Sequence, residues 1–502
     1  MGKIETALIS VADKSDLIEF ARGLSGLGVR ILATGGTGRH LKEQGIEAAD
    51  ISSVTGKVEF LGGLVKTLHT AIHAGILAGR DNASHMEELA SLGWQKIDMV
   101  VVNFYPLKEG TEKRDLSFID IGGPAMARAA AKNFRSCVPV PAPSWYSRVL
   151  DEIKKAGEIG EDLRWALATD VLARTGGYDA RTLAAVPGSP ERGATPDSLL
   201  VGAAKAIDLR YGENPHQQAA FYFPGNDPGF DVIKGALSYN NLLDVDCCLD
   251  QLAEFEGRAA VVVKHVGPCG TAEAETGPDA LESAYACDPL SAFGGVIGVS
   301  FTFDDECAAL LAKRFVECIV APKFEEQALE RLRKKKRTRL VVSRARRREP
   351  LVLRTALGGI LAQARDDVLV AGDLKFVTGE TPPQPVIDDL IFAWKTVKHV
   401  KSNAIVFARS KRTLGIGAGQ PSRVDATKIA IRKAGEAGHD LEGGVMASDG
   451  FFPFPDCIEL AAEAGARAAV QPGGSIRDEE VIERAKALGI TMALTSTRHF
   501  RH

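Results

Sequence analysis

Paired cysteines are missing from this sequence. Its eight cysteines stand at 137, 247, 248, 269, 287, 307, 318 and 457, with no Cys-x-x-Cys pair and no disulfide-framework spacing, which excludes a stapled secreted scaffold and suits a reducing cytosol. An excess of one charge is missing too. The 61 lysines and arginines nearly balance the 65 aspartates and glutamates, a formal net charge of -4. Neither nucleic acid nor an anionic membrane is therefore attracted in general, and any anionic ligand has to be held by local design. Neither a leader nor a membrane span is expected: the chain passes within a few residues into Ala7-Leu8-Ile9-Ser10-Val11, which reads as a core strand, and the expected location is cytoplasmic. Met1-Gly2-Lys3-Ile4-Glu5-Thr6 fits the bare myristoylation pattern, a match too short to carry a lipid-anchor reading.

What is present is the composition of a soluble globular protein, 45% hydrophobic and 25% charged over 502 residues, long enough for about three domains. From residue 6 to about 140, short apolar runs alternate with helical patterns: Ala7 to Val11, a helix over Asp16 to Leu27, Val29 to Ala33, and Met99 to Val102. Strand, helix, strand in this rhythm predicts an α/β fold with a doubly wound parallel sheet covered on both faces. Ser10 with Asp13 and Lys14, Thr34-Gly35-Gly36-Thr37, and Asn103-Phe104-Tyr105-Pro106 follow the strands. Open parallel sheets bind ligands beyond the carboxyl ends of their strands, so these three loops are expected to meet at one crevice.

The clearest boundary is the stretch 187–196, which carries three prolines and two glycines and no apolar period. It divides the chain into a domain over 1–190 and a second over 198–502. The second is about twice the usual domain size and is expected to split near 360 into two subdomains that share a core or a cleft. Val-Lys-His-Val occurs at 263–266 and again at 397–400, but one copy follows a strand and the other ends a helical pattern, so chance explains the repeat. The basic run 331–348, with Lys334-Lys335-Lys336-Arg337 and Arg346-Arg347-Arg348, lacks aromatic or groove-matching context and reads as a solvated surface.

Several motifs carry chemistry. In Leu209-Arg210-Tyr211-Gly212-Glu213-Asn214-Pro215-His216-Gln217, Gly212 and Pro215 exclude a regular helix, and the polar side chains cannot fill a core without partners. About fifty residues on, the apolar strand Ala259 to Val263 ends in Lys264-His265 and a Gly267-Pro268 turn, a place where strand-borne catalytic groups sit. In the first domain, Thr34-Gly35-Gly36-Thr37 offers backbone N–H groups to an anion at a helix N-terminus. Leu64-Val65-Lys66-Thr67-Leu68-His69 and Asp120-Ile121-Gly122-Gly123, followed by Arg128 and Lys132-Asn133, add cations, hydroxyls and a second glycine pair. Together they describe a site for a phosphate-bearing substrate.

Other patterns exclude. His69 and His73 share a helix face, but no Glu follows His69 as in His-Glu-x-x-His and no third ligand is evident. Lys264 to Gly270 shares a fragment of the zinc deaminase pattern but lacks its Glu and its second Cys, so no metal, zinc included, is expected. Gly415-Ile416-Gly417-Ala418-Gly419-Gln420 begins like a dinucleotide loop, yet Gln420 replaces the third glycine and no acidic ribose ligand follows. That excludes NAD and leaves a glycine-rich turn where backbone meets a flat ligand or another chain. Ser448-Asp449-Gly450-Phe451-Phe452-Pro453-Phe454 suits either a wall for a planar heterocycle or aromatic core packing.

Taken in order, the motifs Arg-Tyr-Gly-x-Asn-Pro-His-Gln, Lys-His-Val, Gly-Ile-Gly-Ala-Gly-Gln and Asp-x-Phe-Phe-Pro-Phe resemble those of a bifunctional purine-biosynthesis family, phosphoribosylaminoimidazolecarboxamide (AICAR) formyltransferase/IMP cyclohydrolase. The resemblance covers essentially the whole chain, from Ile9-Ser10-Val11 to Thr497-Arg498-His499-Phe500-Arg501-His502. It implies a methylglyoxal-synthase-like first domain that acts as the cyclohydrolase, and a formyltransferase half built from two cytidine-deaminase-like units without zinc. The small molecules it implies are AICAR, formyl-AICAR and 10-formyltetrahydrofolate as co-substrate. A homodimer with transferase sites between subunits is implied as well, and a monovalent cation is left open.

By the same resemblance, His265 is the base or proton relay that activates a poorly nucleophilic amine. Lys264 stabilises the tetrahedral oxyanion or protonates the leaving folate nitrogen, and Asn403 is their hydrogen-bonding partner. Arg210, Tyr211, His216, Gly294, Phe452 and Arg498 line the AICAR or folate pocket, with the two arginines suited to phosphate and carboxylate. Lys66, Tyr105, Asp120 and Lys132 match the cyclohydrolase site, and Ser10, Lys14, Gly35, Gly36, Thr37, Thr67, Asn103 and Gly123 bind phosphate, ribose or base. Two positions depart from the family's pattern: Leu64 stands where many relatives carry Arg, and Thr70 replaces a Pro. Loss of a cation beside the phosphate weakens the cyclohydrolase expectation and admits a rival, a transferase with a nucleotide-binding first domain. A rival of another class is an RNA-binding protein that uses the 331–348 run.

Overall fold

The computed structural model describes residues 2–56, 61–105, 116–185, 195–224, 227–344, 350–368 and 374–502. Most of the expected linker, Pro106, and the Arg346-Arg347-Arg348 end of the basic run lie outside the described residues. The chain forms two compact units, Met1–Ala204 and Lys205–His502. Among the described residues no helix is long and apolar enough to cross a membrane.

The first unit is built on five parallel strands in the spatial order Ala49–Asp50, Arg30–Ala33, Thr6–Ser10, Met99–Val102 and Val138–Val140. Alternate residues of each strand enter two different cores. Ala7, Ile9, Ile31, Ala33, Met99 and Val101 pack with Leu17, Phe20 and Val149 on one face, whereas Leu8, Leu32, Val100 and Val102 pack with Ile72, Ile76 and Met126 on the other. Both faces are therefore dry, which is why these strands read as unbroken apolar runs. The order of strands reverses between Thr6–Ser10 and Met99–Val102, so a crevice opens beyond Ser10 and Val102 at that switch point.

The second unit contains a 12-stranded mixed sheet, and its connectivity is duplicated. A helix, an antiparallel hairpin, and then three helix–strand steps occur first from Tyr239–Leu252 through Arg258–Lys264 and Gly267–Ala274 to Arg339–Ser343. They occur again from Gln384–Val397 through Ile405–Arg409 and Arg412–Gly417 to Thr491–Leu494. The leading helices of both copies pack on one shared core, and the opposite face is covered separately in each copy. The two Val-Lys-His-Val segments sit at non-equivalent places, one at the end of Arg258–Lys264 and the other at the end of Gln384–Val397. A two-stranded ribbon, Leu351–Ala356 with Gly359–Ala364, lies between the copies in the chain, and among the described residues it pairs with neither.

Candidate active sites

In the second unit the inner strands of the two copies, Gly267–Ala274 and Arg412–Gly417, pair at a single register position, Ala272 with Arg412. That end is pinned. Glu273 N–H donates to the Lys411 carbonyl at 2.9 Å, Lys411 Nζ stands 3.1 Å from Glu273 Oε1, and Thr271 N–H donates to Thr413 Oγ1 at 2.9 Å. Away from it the strands part and leave an open cleft of about 570 Å³, lined among others by Lys264, His265, Cys269, Asp288, Gln420 and Lys433. Burial pushes the Cys269 thiol up to about 12, which favours the protonated thiol over a thiolate.

Lys264 and His265 sit where the first hairpin reverses. The turn expected at Gly267-Pro268 is instead formed by His265 and Val266, since Lys264 already pairs with Gly267 across the ladder. Both turn residues have positive φ, 57° at His265 and 61° at Val266, the requirement of a two-residue type I′ hairpin that Asn-Gly usually meets. A β-branched valine there is a genuine outlier, and such strain costs on the order of 1–3 kcal/mol per residue. The turn is held by Asp244, whose Oδ1 accepts from Val266 N–H at 2.7 Å. Lys264 Nζ donates to the Phe293 carbonyl at 2.8 Å, just before Gly294, which has φ 74° and donates its N–H to the Phe315 carbonyl at 2.8 Å.

The polar 210–216 turn rests on the helix that carries Asp244: Tyr239 N–H donates to the Tyr211 carbonyl and Asn240 Nδ2 to the Glu213 carbonyl, both at 3.1 Å. It is braced internally by Asn214 N–H to Gln217 Oε1 at 2.8 Å, while His216 and Arg210 project into solvent. The Arg210 guanidinium lies 4.9 Å from the Tyr211 ring centroid. Asn403 reaches the cleft through its wall, donating Nδ2 to the Gln420 carbonyl at 2.9 Å and accepting from Arg423 Nη2 at 2.8 Å. Arg423 also engages Asp449, which in turn accepts from Ser402 and from Ala404 N–H. Asp449 is thus an anchor for the Asn403 loop rather than an exposed acid. Phe452 is 0% exposed within the core, and Phe451 and Phe454 are the exposed rings of that segment. Arg498 stacks over Phe500 at 4.5 Å.

In the glycine-rich 415–419 stretch, Gly415 and Gly417 face the protein's own helix, while Ile416 and Ala418 line the cleft. A Cβ on Gly415 or Gly417 would stand 2.2 Å from the Ala430 carbonyl oxygen or 1.8 Å from that of Ala426, so these glycines admit the helix Arg423–Glu436. Described residues of the basic run are likewise engaged within the chain. Arg331 forms a two-pronged pair with Asp305 at 2.8 and 2.7 Å, Lys335 Nζ caps three carbonyls, and Arg339 pairs with Glu317 at 2.9 Å. Among the described residues no group of three or more His, Cys, Asp or Glu stands close enough to hold a metal ion.

In the first unit the crevice is braced by two predicted ligands. Thr37 Oγ1 accepts from Val11 N–H at 3.1 Å and donates to the Val11 carbonyl at 3.2 Å. Asn103 Oδ1 accepts from Ala12 and Asp13 N–H at 2.7 and 2.9 Å. Thr34 Oγ1 donates to Ser10 Oγ at 3.0 Å, and Gly35 and Gly36 form the first turn of the helix Gly35–Glu43, where N–H groups lack intrahelical partners. Lys14 is exposed on the loop beyond Ser10.

Thr67 and Asp120 meet at the start of Gly122–Lys132: a Cβ on Gly122 would lie 2.4 Å from Thr67 Oγ1, and one on Gly123 2.7 Å from Asp120 Oδ2. Asp120 Oδ1 accepts from Gly123 N–H at 2.9 Å, and Asp120 N–H donates to Tyr178 Oη at 2.8 Å. Burial raises the Asp120 carboxyl above the usual range, against the pull of the Gly123 and Tyr105 N–H groups. Tyr105 is 65% exposed. Lys66 is half-buried next to Thr67. Lys132 sits on the last turn of the helix, about 15 Å along its axis from Gly122 at 1.5 Å per residue.

Residues 130–433 match the family model described as "AICARFT/IMPCHase bienzyme" and residues 16–125 the one described as "MGS-like domain". Three curated proteins, each named "Bifunctional purine biosynthesis protein PurH", are similar along their full length. That of Magnetococcus marinus is 46% identical, covering 100% of both chains. Those of Chlorobium phaeobacteroides and Oceanobacillus iheyensis are each 45% identical, covering 99% of both chains. A solved structure titled "Crystal structure of ForH" shares 37% identity over 36% of this chain and 97% of its own, with a TM-score of 0.34.

Proposed function

The chain belongs to the AICARFT/IMPCHase bienzyme family, and from that premise we propose how its residues divide two consecutive reactions. It is a bifunctional enzyme of purine biosynthesis that transfers a formyl group from a folate co-substrate to AICAR and closes the product to IMP. We assign the transfer to the cleft of the second unit. There the AICAR 5-amino group attacks the formyl carbon of 10-formyltetrahydrofolate, His265 takes the amine proton, and Lys264 supports the oxyanion or protonates the departing N10. The single observation that carries this assignment is that Lys264, at a strand end, and His265, on the strained turn after it, line one cleft with Gln420, whose carbonyl is hydrogen-bonded to Asn403.

Ring closure is assigned to the first unit. The carboxamide nitrogen attacks the formyl carbon of the same molecule and water leaves, so orientation and oxyanion support supply most of the acceleration. Lys66, Tyr105, Asp120 and Lys132 are the groups assigned to it. The N–H groups of Gly35 and Gly36, with Lys14, hold the phosphate, while Thr37 and Asn103 shape the crevice by their grip on residues 11–13.

The duplicated helix–hairpin units of the second unit support a reading of two cytidine-deaminase-like folds. A homodimer is supported by the Leu351–Ala356/Gly359–Ala364 ribbon, which leaves Leu353, Leu357, Ile360 and Leu361 in water, because an isolated two-stranded ribbon is marginal without cover. A cytosolic location is supported by eight free thiols. The test of the assigned function is to incubate the purified chain with AICAR and 10-formyltetrahydrofolate. Stoichiometric tetrahydrofolate and IMP are expected, and production of neither contradicts the reading.

A further inference from the structure

The two copies in the second unit share a device that their sequences do not advertise. In the first, the hairpin turn is His265-Val266. In the second it is Ser410-Lys411, again two residues between a ladder pair, Arg409 with Arg412, and again both at positive φ, 54° and 51°. Each turn is gripped by one aspartate from the leading helix of its own copy, at the same distance from the helix start: Asp244 in Tyr239–Leu252 and Asp389 in Gln384–Val397. Asp389 takes Ser410 N–H on Oδ2 at 2.8 Å and Lys411 N–H on Oδ1 at 2.7 Å. Asp244 takes Val266 N–H on Oδ1 at 2.7 Å. Both aspartates are 9% exposed.

The copies differ in what their turns carry. Ser410-Lys411 lies at the pinned end of the inner strands, where Lys411 pairs with Glu273. His265-Val266 opens into the cleft. The same carboxylate clamp therefore performs a purely architectural task in one copy and aims an imidazole in the other. The β-branched Val266 disfavours the left-handed region, and among the described residues the turn is otherwise held by the Lys264–Gly267 ladder pair and the Cys247 Sγ hydrogen bond to the Val266 carbonyl at 3.6 Å. An imidazole displaced by about 1 Å loses a large part of its rate advantage.

We propose that Asp244 is the positioning residue of the transferase site: by accepting the Val266 N–H its carboxylate holds the His265-Val266 turn in the left-handed geometry that points the imidazole into the cleft. The proposal rests on the assignment of formyl transfer to His265. The duplication supplies its control, since Asp389→Ala makes the same substitution in an equivalent turn that carries no reacting group.

The experiment measures both activities of the full-length chain with Asp244→Ala, Asp389→Ala and the double variant Asp244→Ala/Val266→Gly, alanine being used because an asparagine Oδ1 would still accept the turn N–H. Asp244→Ala is expected to lower kcat for formyl transfer by roughly 30- to 100-fold, with KM for AICAR changed less than threefold and ring closure of supplied formyl-AICAR within twofold of the parent. Asp389→Ala should leave transfer within threefold. Glycine tolerates positive φ, so Val266→Gly should restore at least tenfold of the lost kcat to the Asp244→Ala chain. Transfer within threefold of the parent in Asp244→Ala overturns the proposal, as does an equal loss in Asp389→Ala or no recovery with Val266→Gly. A parent chain without transfer activity would instead contradict the assigned function, and is told apart by that.

Discussion

Asn103 and Asp13 hold each other reciprocally at the switch point of the first sheet. Asp13 N–H donates to Asn103 Oδ1 and Asn103 Nδ2 donates back to the Asp13 carbonyl, both at 2.9 Å. The carboxamide thereby ties the loop after Met99–Val102 to the loop after Thr6–Ser10, the two walls of the crevice. Asn103→Ala should raise KM for formyl-AICAR about tenfold, the equivalent of one or two lost hydrogen bonds, while transfer kinetics stay at the parent value. Unchanged ring-closure KM would show that the crevice does not depend on this tie.

Leu64 is 80% exposed beside the loop that carries Lys66 and Thr67, so nothing packs around it that a longer side chain would disturb. Restoring a cation with Leu64→Arg adds attraction to a phosphate of the order of 1 kcal/mol in high dielectric. Ring-closure KM should fall about three- to tenfold at low salt, and the gain should shrink as ionic strength rises. No change at any salt concentration would mean that the phosphate lies elsewhere.

Glu254 is buried against two partners, Lys398 Nζ at 3.0 Å and His399 Nε2 at 3.2 Å. Burial alone would raise its carboxyl, but the His399 hydrogen bond and the Lys398 charge outweigh it and hold the group at about 2 instead of 4.5. A depressed folded value stabilises above the unfolded pKa and loses that contribution as pH falls from about 4.5 toward 2. Glu254→Gln should therefore cost about 3 kcal/mol near neutral pH, as expected for a buried pair left with one partner. The gap to the parent in denaturant unfolding should narrow over that acid window. A gap independent of pH would point to lost packing instead of lost charge.

The parallel strands of the first unit were legible because both faces are buried and each strand shows as an unbroken apolar run. The ends of those strands were legible for the same reason, since Ser10, Thr34 and Asn103 interrupt the runs. Turn chemistry misled at 265–268: Gly267-Pro268 carries the usual signal, whereas the turn forms at His265-Val266, where Asp244, about twenty residues earlier, accepts the Val266 N–H. A contact between a helix and a turn leaves no periodicity to read. Asp244 and Asp389 show merely as single acids on apolar helix faces. Phe452 could not be told from Phe451 and Phe454 without knowing which ring faces inward. Gly415 and Gly417 suggested a ligand or another chain, when the close neighbour is the carbonyl edge of their own helix. In the residues themselves the duplication was hidden, because the copies share connectivity and a clamp and the one repeated tetrapeptide is misplaced; two like units were implied by the family resemblance alone.

The most direct test of two sites on one chain, with His265 serving transfer and Lys66 serving closure, is a mixing experiment. His265→Ala and Lys66→Ala chains are assayed for IMP from AICAR and 10-formyltetrahydrofolate, first separately and then together. Each alone should make almost none, the first for want of formyl-AICAR and the second accumulating it, while the mixture should make IMP after a lag as the intermediate passes between molecules. A mixture as inactive as its components, with both variants folded, would contradict the division of labour.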